Sequence, residues 1–563
     1  MKSRKEAILY TLIIAVAILL VNAVVNRSTM AIDMTEDKRF SLSESTEEVI
    51  RSVKEPILIR VLLSGDFPAG FEQLEEATNA LLRQFRAWNS NVSFVFENPS
   101  DGTTEQINSR YENLKEIGAV PTNLVVQDDG EVSEKLIFPY ALISYGRNQT
   151  ILNLLEAQQR GESEDVTLNK SVALLEYKFG DQIYKMTRMD KPNVVLLEGR
   201  GELPPQQTAF LETVLKQNYD IGRLHLDSIY QLSPEIDLLI VARPSMAYSS
   251  RDQLILDQYV MNGGNVIWLV EKYEANVFKI DTVSNYVPRE IEHNLDDLFF
   301  DYGVRYRSNL LLDLQCSRVP QVVAVQGGKP QTEMFPWFYH PILTGSPKHP
   351  ITNNLSNLNL TFPSELEVLE RPDIETQVLL TTSPASRFQV YPMTLTFDVV
   401  RLGEDPSKFD KGQRTIALLA EGKFQSHFKN RLNQSQEETL QQLGTPFKAS
   451  SAGSKQLWAT DAYLISNLYN PSNNRVSPIG YNQWEEVTYE GNFEFIKNAI
   501  DYMVDDINVM EARNKDVKLR LLNRGKVIKE KTKWQMINMV LPLLLLGLFG
   551  LCFTLIRRRR FAK

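Results

Sequence analysis

The sequence predicts an α/β protein whose bulk is carried between two transmembrane helices. Uncharged apolar runs of 19 and 20 residues, Ala7–Val25 and Ile537–Ile556, stand at its two ends. At 1.5 Å per residue, a helix of either length covers roughly 28–30 Å, about a bilayer core. Between them, short runs of branched apolar residues alternate with stretches of helical periodicity, the pattern of a mainly parallel sheet covered on both faces. Composition agrees: 563 residues with 43% hydrophobic and 23% charged are globular values, enough chain for several domains.

The first run continues through Asn22 without an A-x-A cleavage pattern, so an uncleaved anchor is favoured over a signal peptide. The second ends in Arg557–Arg560, which a buried core helix would not carry. Lys2, Arg4 and Lys5 precede the first span, and short loops rich in Lys and Arg stay cytoplasmic. Both termini are therefore expected inside, with 26–536 on the outer face of the membrane. The six-residue tip carries a net +2 and the basic tail 557–563 a net +5, so a chain of net charge -9 leaves an enclosed region near −16. That acidity excludes a nucleic-acid partner. Cys552 lies in the second span, so Cys316 has no partner for a disulfide. Asn22 in the first span and Pro542, Gly547 and Gly550 in the second are candidates for helix–helix packing; ordinary tolerance of Gly and Pro in membrane helices is the alternative.

The first outer segment, 26–190, opens with Lys38-Arg39-Phe40-Ser41-Leu42-Ser43 and a short helix over Glu44–Ser52. Ile57–Leu63 reads as a buried strand, then a helix with apolar Phe71, Leu74, Ala77, Leu81, Phe85 and Trp88, then a strand over Val92–Phe96. A helix over Gln106–Ile117 follows, then Val120-Pro121 before strand-like Thr122–Val126, the turn at Asp128–Glu131, and further strand-like residues over Lys135–Ser144. This order resembles the thioredoxin fold. The resemblance implies a cis Val120–Pro121 bond; where that family carries C-x-x-C, this chain has Ser64-Gly65-Asp66-Phe67-Pro68, so thiol chemistry is absent.

A helix over Leu168–Met189 stops before Pro192, and a second module, 191–310, begins. Asn193–Leu197 is a strand, Pro205–Gln217 a helix, Leu224–Leu226 and Ile236–Val241 strands, Arg251–Met261 a helix closed by Asn262-Gly263-Gly264, and Val266–Val270 a strand. This module resembles the class I glutaminase-like, flavodoxin-related sheet. In that family a nucleophile follows the strand matching Val266–Val270, but here the chain continues Glu271-Lys272-Tyr273, without Cys or Ser. The stretch 311–506 either continues the sheet or forms an attached α/β lobe. Prolines at 320, 330, 336, 341, 347 and 350 mark an irregular passage, followed by strand-like Thr376–Leu380, Thr415–Leu419 and Leu457–Ala459 and a helix over Asn492–Met503. Residues 507–536 read as a basic juxtamembrane stalk.

Chemistry is sparse. Gly199-Arg200-Gly201-Glu202 lies between a strand and a helix, where open α/β sheets bind ligands, and is either a tight turn or a ligand or partner loop. No phosphate-loop motif occurs, and Gly327-Gly328-Lys329 lacks the framing of one. The five histidines, His225, His293, His340, His349 and His427, show no metal-ligand spacing. No catalytic, cofactor or metal residue is assigned.

Taken in order, the N-terminal anchor, the Lys38–Ser43 segment with Thr46, the G-x-G-E loop, Tyr259-Val260 to Gly263-Gly264, Glu421-Gly422-Lys423-Phe424, Asn498-Ala499-Ile500 and an anchor ending in arginines resemble the GldG family of gliding-motility-associated ABC-transporter components. Where that family often has G-H-G-E, Arg200 stands at the His. The resemblance implies a non-enzymatic extracytoplasmic subunit whose partners are a separate ABC ATPase subunit and a polytopic permease subunit, with other envelope proteins also in reach. A scaffold of a gliding or secretion machine with no transported solute, and a cryptic hydrolase on the glutaminase-like sheet, are the alternatives.

Overall fold

Ser43 shows how the first module starts. Its hydroxyl accepts from the Thr46 amide, capping α1 (Glu44–Ser52), while its own N–H and O–H donate to Glu176 at 2.7 and 2.8 Å. The serine-rich motif is thus a helix cap tied to a second helix. The computed structural model describes residues 41–65, 67–128, 131–158, 162–280, 286–397, 405–505, 507–514 and 524–561, with 13 and 16. Apart from 13 and 16, the first expected span, Asn22 included, lies outside the described residues. The chain divides into two units, 1–516 and 517–563.

The first unit is mixed α/β. β1 (Ile57–Val61) and β2 (Val92–Phe96) are parallel and joined by α2 (Ala69–Trp88). α3 (Thr104–Glu116) leads to a hairpin of β3 (Thr122–Asp128) and β4 (Glu131–Ile137) that pairs only with itself. The antiparallel neighbour of β1 is β5 (Tyr140–Tyr145), followed by β6 (Asn148–Asn153), giving the order β2-β1-β5-β6. The buried Ala141-Leu142-Ile143 takes the edge of β1, which the strand-like Thr122–Val126 does not reach. The expected cis Val120–Pro121 bond is corrected; the cis X–Pro bond among the described residues is Tyr391–Pro392.

The larger sheet begins after α4 (Glu164–Thr187) with β7 (Asn193–Glu198), α5 (Pro205–Leu215), β8 (Asp220–His225), β9 (Leu238–Ala242), α6 (Ser250–Met261) and β10 (Asn265–Leu269). It is completed by β13 (Ile374–Thr381), β14 (Thr415–Gly422) and β15 (Ser454–Ala459), in the order β13-β14-β15-β10-β9-β7-β8. From β15 to β8 neighbours are parallel; β14 and β13 add antiparallel pairs. All five residues of β9 are buried, as a strand covered on both faces requires. Leu211, Ile496 and Ile500 pack on one face; Leu256, Trp268 and Phe299 pack on the other. α7 (Gly491–Met503) belongs to the first of these layers.

The proline-marked passage is irregular only beyond 343, where Pro347 and Pro350 lie among turns; the part before it is regular. It forms β11 (Cys316–Gln326) and β12 (Lys329–Leu343), a long antiparallel hairpin with Trp337 to Tyr339 buried at its base and an exposed tip. Prolines 320, 330 and 336 sit within its two-stranded part, which leaves one edge of each strand free of ladder bonds; at the base β12 also pairs with Leu358–Asn359, and the Pro341 carbonyl accepts from the Leu360 amide. Cys316 is a free thiol, pushed up to about 12 by burial.

A buried polar knot ties α4 to the larger sheet. Asp501 on α7 accepts from Lys185 at 2.9 Å, Lys497 at 2.7 Å and the Tyr219 hydroxyl. The expected stalk needs correction at its start: Val509, Met510 and Ala512 are buried in the first unit, and Arg513 donates to the carbonyls of Pro350 and Asn353. Apolar burial draws 507–514 into the fold, so any stalk begins beyond it.

The second unit is described by α8 (Arg524–Phe561), within which Glu530–Arg559 is long and apolar enough to cross a membrane. Pro542 lies inside the helix, and side-chain positions at Gly547 and Gly550 would meet open space.

Candidate functional site

Parallel register builds the site. Leu269 on β10 pairs with Ala242 on β9 and with Ala459 on β15. The residues just beyond these ends, Arg243, Glu271 and Asp461, therefore leave adjacent strands side by side at the carboxyl edge of the sheet, where open α/β folds bind ligands. A cavity of about 660 Å³ opens there, within the range of small-ligand sites. Arg243 and Glu271 line it, with Tyr273, His340, Phe362, Tyr463, Tyr469 and Trp484.

The charges of this edge are managed internally. Arg243 Nε is 3.2 Å from Glu271 Oε2. Burial raises the Glu271 carboxyl above its ordinary value, and Arg243 opposes that only in part. Asp461 accepts backbone N–H groups from Thr361 at 2.5 Å and Tyr463 at 2.7 Å. Burial, then the Glu271 charge, pushes it up to about 8, which favours the neutral acid at pH 7. His340 is 1% exposed, and neither ring nitrogen has a partner among the described residues. Burial pushes it down to about 3, leaving a neutral imidazole between Phe362 and Trp484 at 5.0 and 5.7 Å.

Backbone strain gathers at the same place. Of the eight described non-glycine residues with positive φ, five are asparagines, which tolerate it. The other three are Arg243 at +58°, Phe362 at +53° and Glu486 at +54°. Two of them line the cavity, and the third lies two residues past Trp484. Strained residues persist where surrounding structure over-determines them, characteristically at functional sites.

The loop singled out in the sequence lies beside the cavity, and its polar groups are satisfied within the protein. Arg200 donates to Asp252 at 2.8 and 3.0 Å and to Asp227 at 2.6 Å. Burial disfavours the Asp252 charge, but hydrogen bonds from Arg200 and Ser249 outweigh it and hold the carboxyl below its usual range. Glu202 accepts from the Arg200 amide at 2.6 Å and from Tyr248 at 2.5 Å. Gly201 has φ +76°, and a Cβ there would sit 2.1 Å from Ser245 Oγ, so glycine is required. The next residues, Leu203 and Pro204, line the cavity.

Sequence reasoning missed Glu271, Asp461 and His340. Position 271 carries no nucleophile, and its carboxylate becomes informative only through register. The described histidines do not assemble a metal site: among the described residues no group of three or more His, Cys, Asp or Glu could hold an ion. His427 instead bonds Asp301 at 2.6 Å and Arg431 at 2.8 Å.

Comparison with known proteins places this architecture. The chain belongs to the family described as ABC-type uncharacterized transport system, which matches residues 191–499, the stretch containing the larger sheet and its cavity. A domain of unknown function, DUF7088, matches residues 36–144. An uncharacterized protein of Borreliella burgdorferi is 21% identical over 561 residues, covering 98% of each chain. The solved mmIFT52 N-terminal domain is similar at a TM-score of 0.29 and 13% identity, covering 55% of this chain and 96% of that one; likeness at that level carries no argument. The chain is thus associated with an ABC-type transport system.

Proposed function

We propose that the protein is the non-enzymatic, extracytoplasmic subunit of its ABC system, held at a bacterial inner membrane and engaging its ligand in the cavity at the carboxyl edge of the larger sheet. The observation that carries this is the convergence there of paired charges, an unsatisfied histidine and backbone strain, without a nucleophile at position 271. Energy then comes from a separate ATPase and a polytopic permease, since the sequence holds no phosphate loop of its own. The apolar Glu530–Arg559 helix and its arginine run support an anchor with a cytoplasmic C-terminus; the run at 7–25 supplies the second span of a two-pass topology. The Gly199–Glu202 loop is a brace that sets Leu203 and Pro204 at the cavity.

The order β2-β1-β5-β6, with β5 and β6 antiparallel to their neighbours, supports reading the first sheet as a thioredoxin-type scaffold without its thiols. The parallel run β15-β10-β9-β7-β8 supports a glutaminase-like origin for the second. A place in gliding motility rests on the motif resemblance described above. Coexpression with candidate ATPase and permease subunits, then purification in detergent, tests the reading. A stoichiometric complex is expected, and a chain that elutes alone from every candidate pair contradicts it.

A further inference from the structure

The lining of the cavity narrows the chemistry of what enters it. Its ionic groups cancel one another: Arg243 is paired with Glu271, and burial favours the neutral acid at neighbouring Asp461. A charged ligand would be desolvated beside an Arg243 whose charge is already balanced by Glu271, which is costly. The larger apolar surfaces are mostly aromatic, including Phe362, Tyr463, Tyr469 and Trp484. Such rings offer flat, rigid faces with polar edges. Three further lining residues, Gln206, Gln207 and Gln483, have carboxamides without a hydrogen bond to the described chain; each offers two donors and an acceptor. Asn467, by contrast, is committed to the backbone at Gln206, Leu468 and Phe210, and so shapes the wall.

We propose that the cavity binds a neutral carbohydrate, a short oligosaccharide whose ring faces lie on Tyr463, Tyr469 and Trp484 and whose hydroxyls are met by Gln206, Gln207 and Gln483. Hydroxyls donate and accept at once, which suits uncommitted amides, and the C–H faces of a sugar ring suit aromatic planes. The inference rests on reading this cavity as the ligand-engaging site. A neutral peptide fits less well: its backbone is usually satisfied by an added strand, and the parallel strands meet this cavity by their ends.

The full-length chain, purified in a detergent without a sugar headgroup, is tested on an array of neutral oligosaccharides beside sialylated and sulfated ones and blocked tripeptides, with calorimetric titration of each hit. Neutral oligosaccharides bind, acidic ones bind at least about tenfold more weakly, and Gln207→Ala and Trp484→Ala each weaken binding about tenfold or more, a change of about 1.4 kcal/mol. Gln207 is half-buried with an uncommitted side chain, so its truncation leaves the fold intact. Failure of every neutral sugar, binding insensitive to both substitutions, or capture of tripeptides instead overturns the proposal. Copurification with the ATPase and permease, run on the same preparations, separates the two readings. A complex that forms without sugar binding removes only the ligand class, whereas sugar binding without a complex removes only the transport assignment.

Discussion

Removing Asp501 is the sharpest perturbation of the fold. Its carboxylate is 4% exposed and takes Lys185 at 2.9 Å, Lys497 at 2.7 Å and the Tyr219 hydroxyl. Burial opposes the charge, yet the lysines outweigh it and hold Asp501 well below the usual carboxylate range. In Asp501→Ala, Lys497 can turn to solvent, because its side chain is 34% exposed. Lys185 cannot: it is 4% exposed and keeps only Asp181 at 2.8 Å. Breaking a buried pair from one side costs roughly 3–5 kcal/mol, and the surviving Asp181 contact places this case near about 3. That is a large share of a stability of about 5–15 kcal/mol. Urea unfolding of the full chain in detergent, followed by tryptophan fluorescence, reads the loss, and hydrogen exchange should rise along 164–187, where α4 is released from α7. Because the folded pKa is depressed, this contribution is complete above the unfolded carboxylate value of about 3.9 and disappears as pH falls through the lower folded value. The wild-type chain should therefore lose acid stability that Asp501→Asn has already lost. A cost below about 1 kcal/mol with unchanged exchange would refute the knot as the tie between these elements.

Asp461 predicts the opposite pH slope. Its carboxyl is raised to about 8, so the folded state holds a proton that the unfolded chain releases above about 3.9, and this group lowers stability as pH climbs between those values. Asp461→Asn should flatten that part of the profile, and an unaltered slope would speak against a neutral acid there. Gly201→Ala should destabilise by about 1–3 kcal/mol in thermal unfolding, since a Cβ meets Ser245 at positive φ; a neutral effect would mean the loop is not held as described. Arg200→Ala leaves buried Asp252 with Ser249 as its remaining close partner and should cost about 1–3 kcal/mol by the same measurement.

Local signals carried much of the fold. Ile57–Val61, Asn193–Glu198 and Asn265–Leu269 are short apolar runs bounded by turn residues, and each became a strand. Signals that depend on distant pairing did not carry. Thr122–Val126 and Ala141–Ile143 are both apolar strand candidates, and only the edge of β1 chooses between them. The prolines of 316–343 obscured two long strands because proline is excluded from central strands but not from a two-stranded ribbon. The candidate site was the least legible part. Arg243, Glu271 and Asp461 are isolated in sequence, and nothing local says that three parallel strands end level with one another. The G-x-G-E loop was conspicuous for its spacing, yet its arginine is taken up by two carboxylates of its own chain.

The side of the membrane on which residues 41–514 lie is the most direct test of the extracytoplasmic assignment. Spheroplasts from cells expressing the chain with a tag after Lys563 are treated with protease, and the products are followed with antibodies to the 41–514 body and to the tag. Loss of the body with survival of a short tagged fragment containing Glu530–Arg559 is the predicted result. An intact body after lysis-controlled digestion would place it in the cytoplasm and contradict the extracytoplasmic assignment.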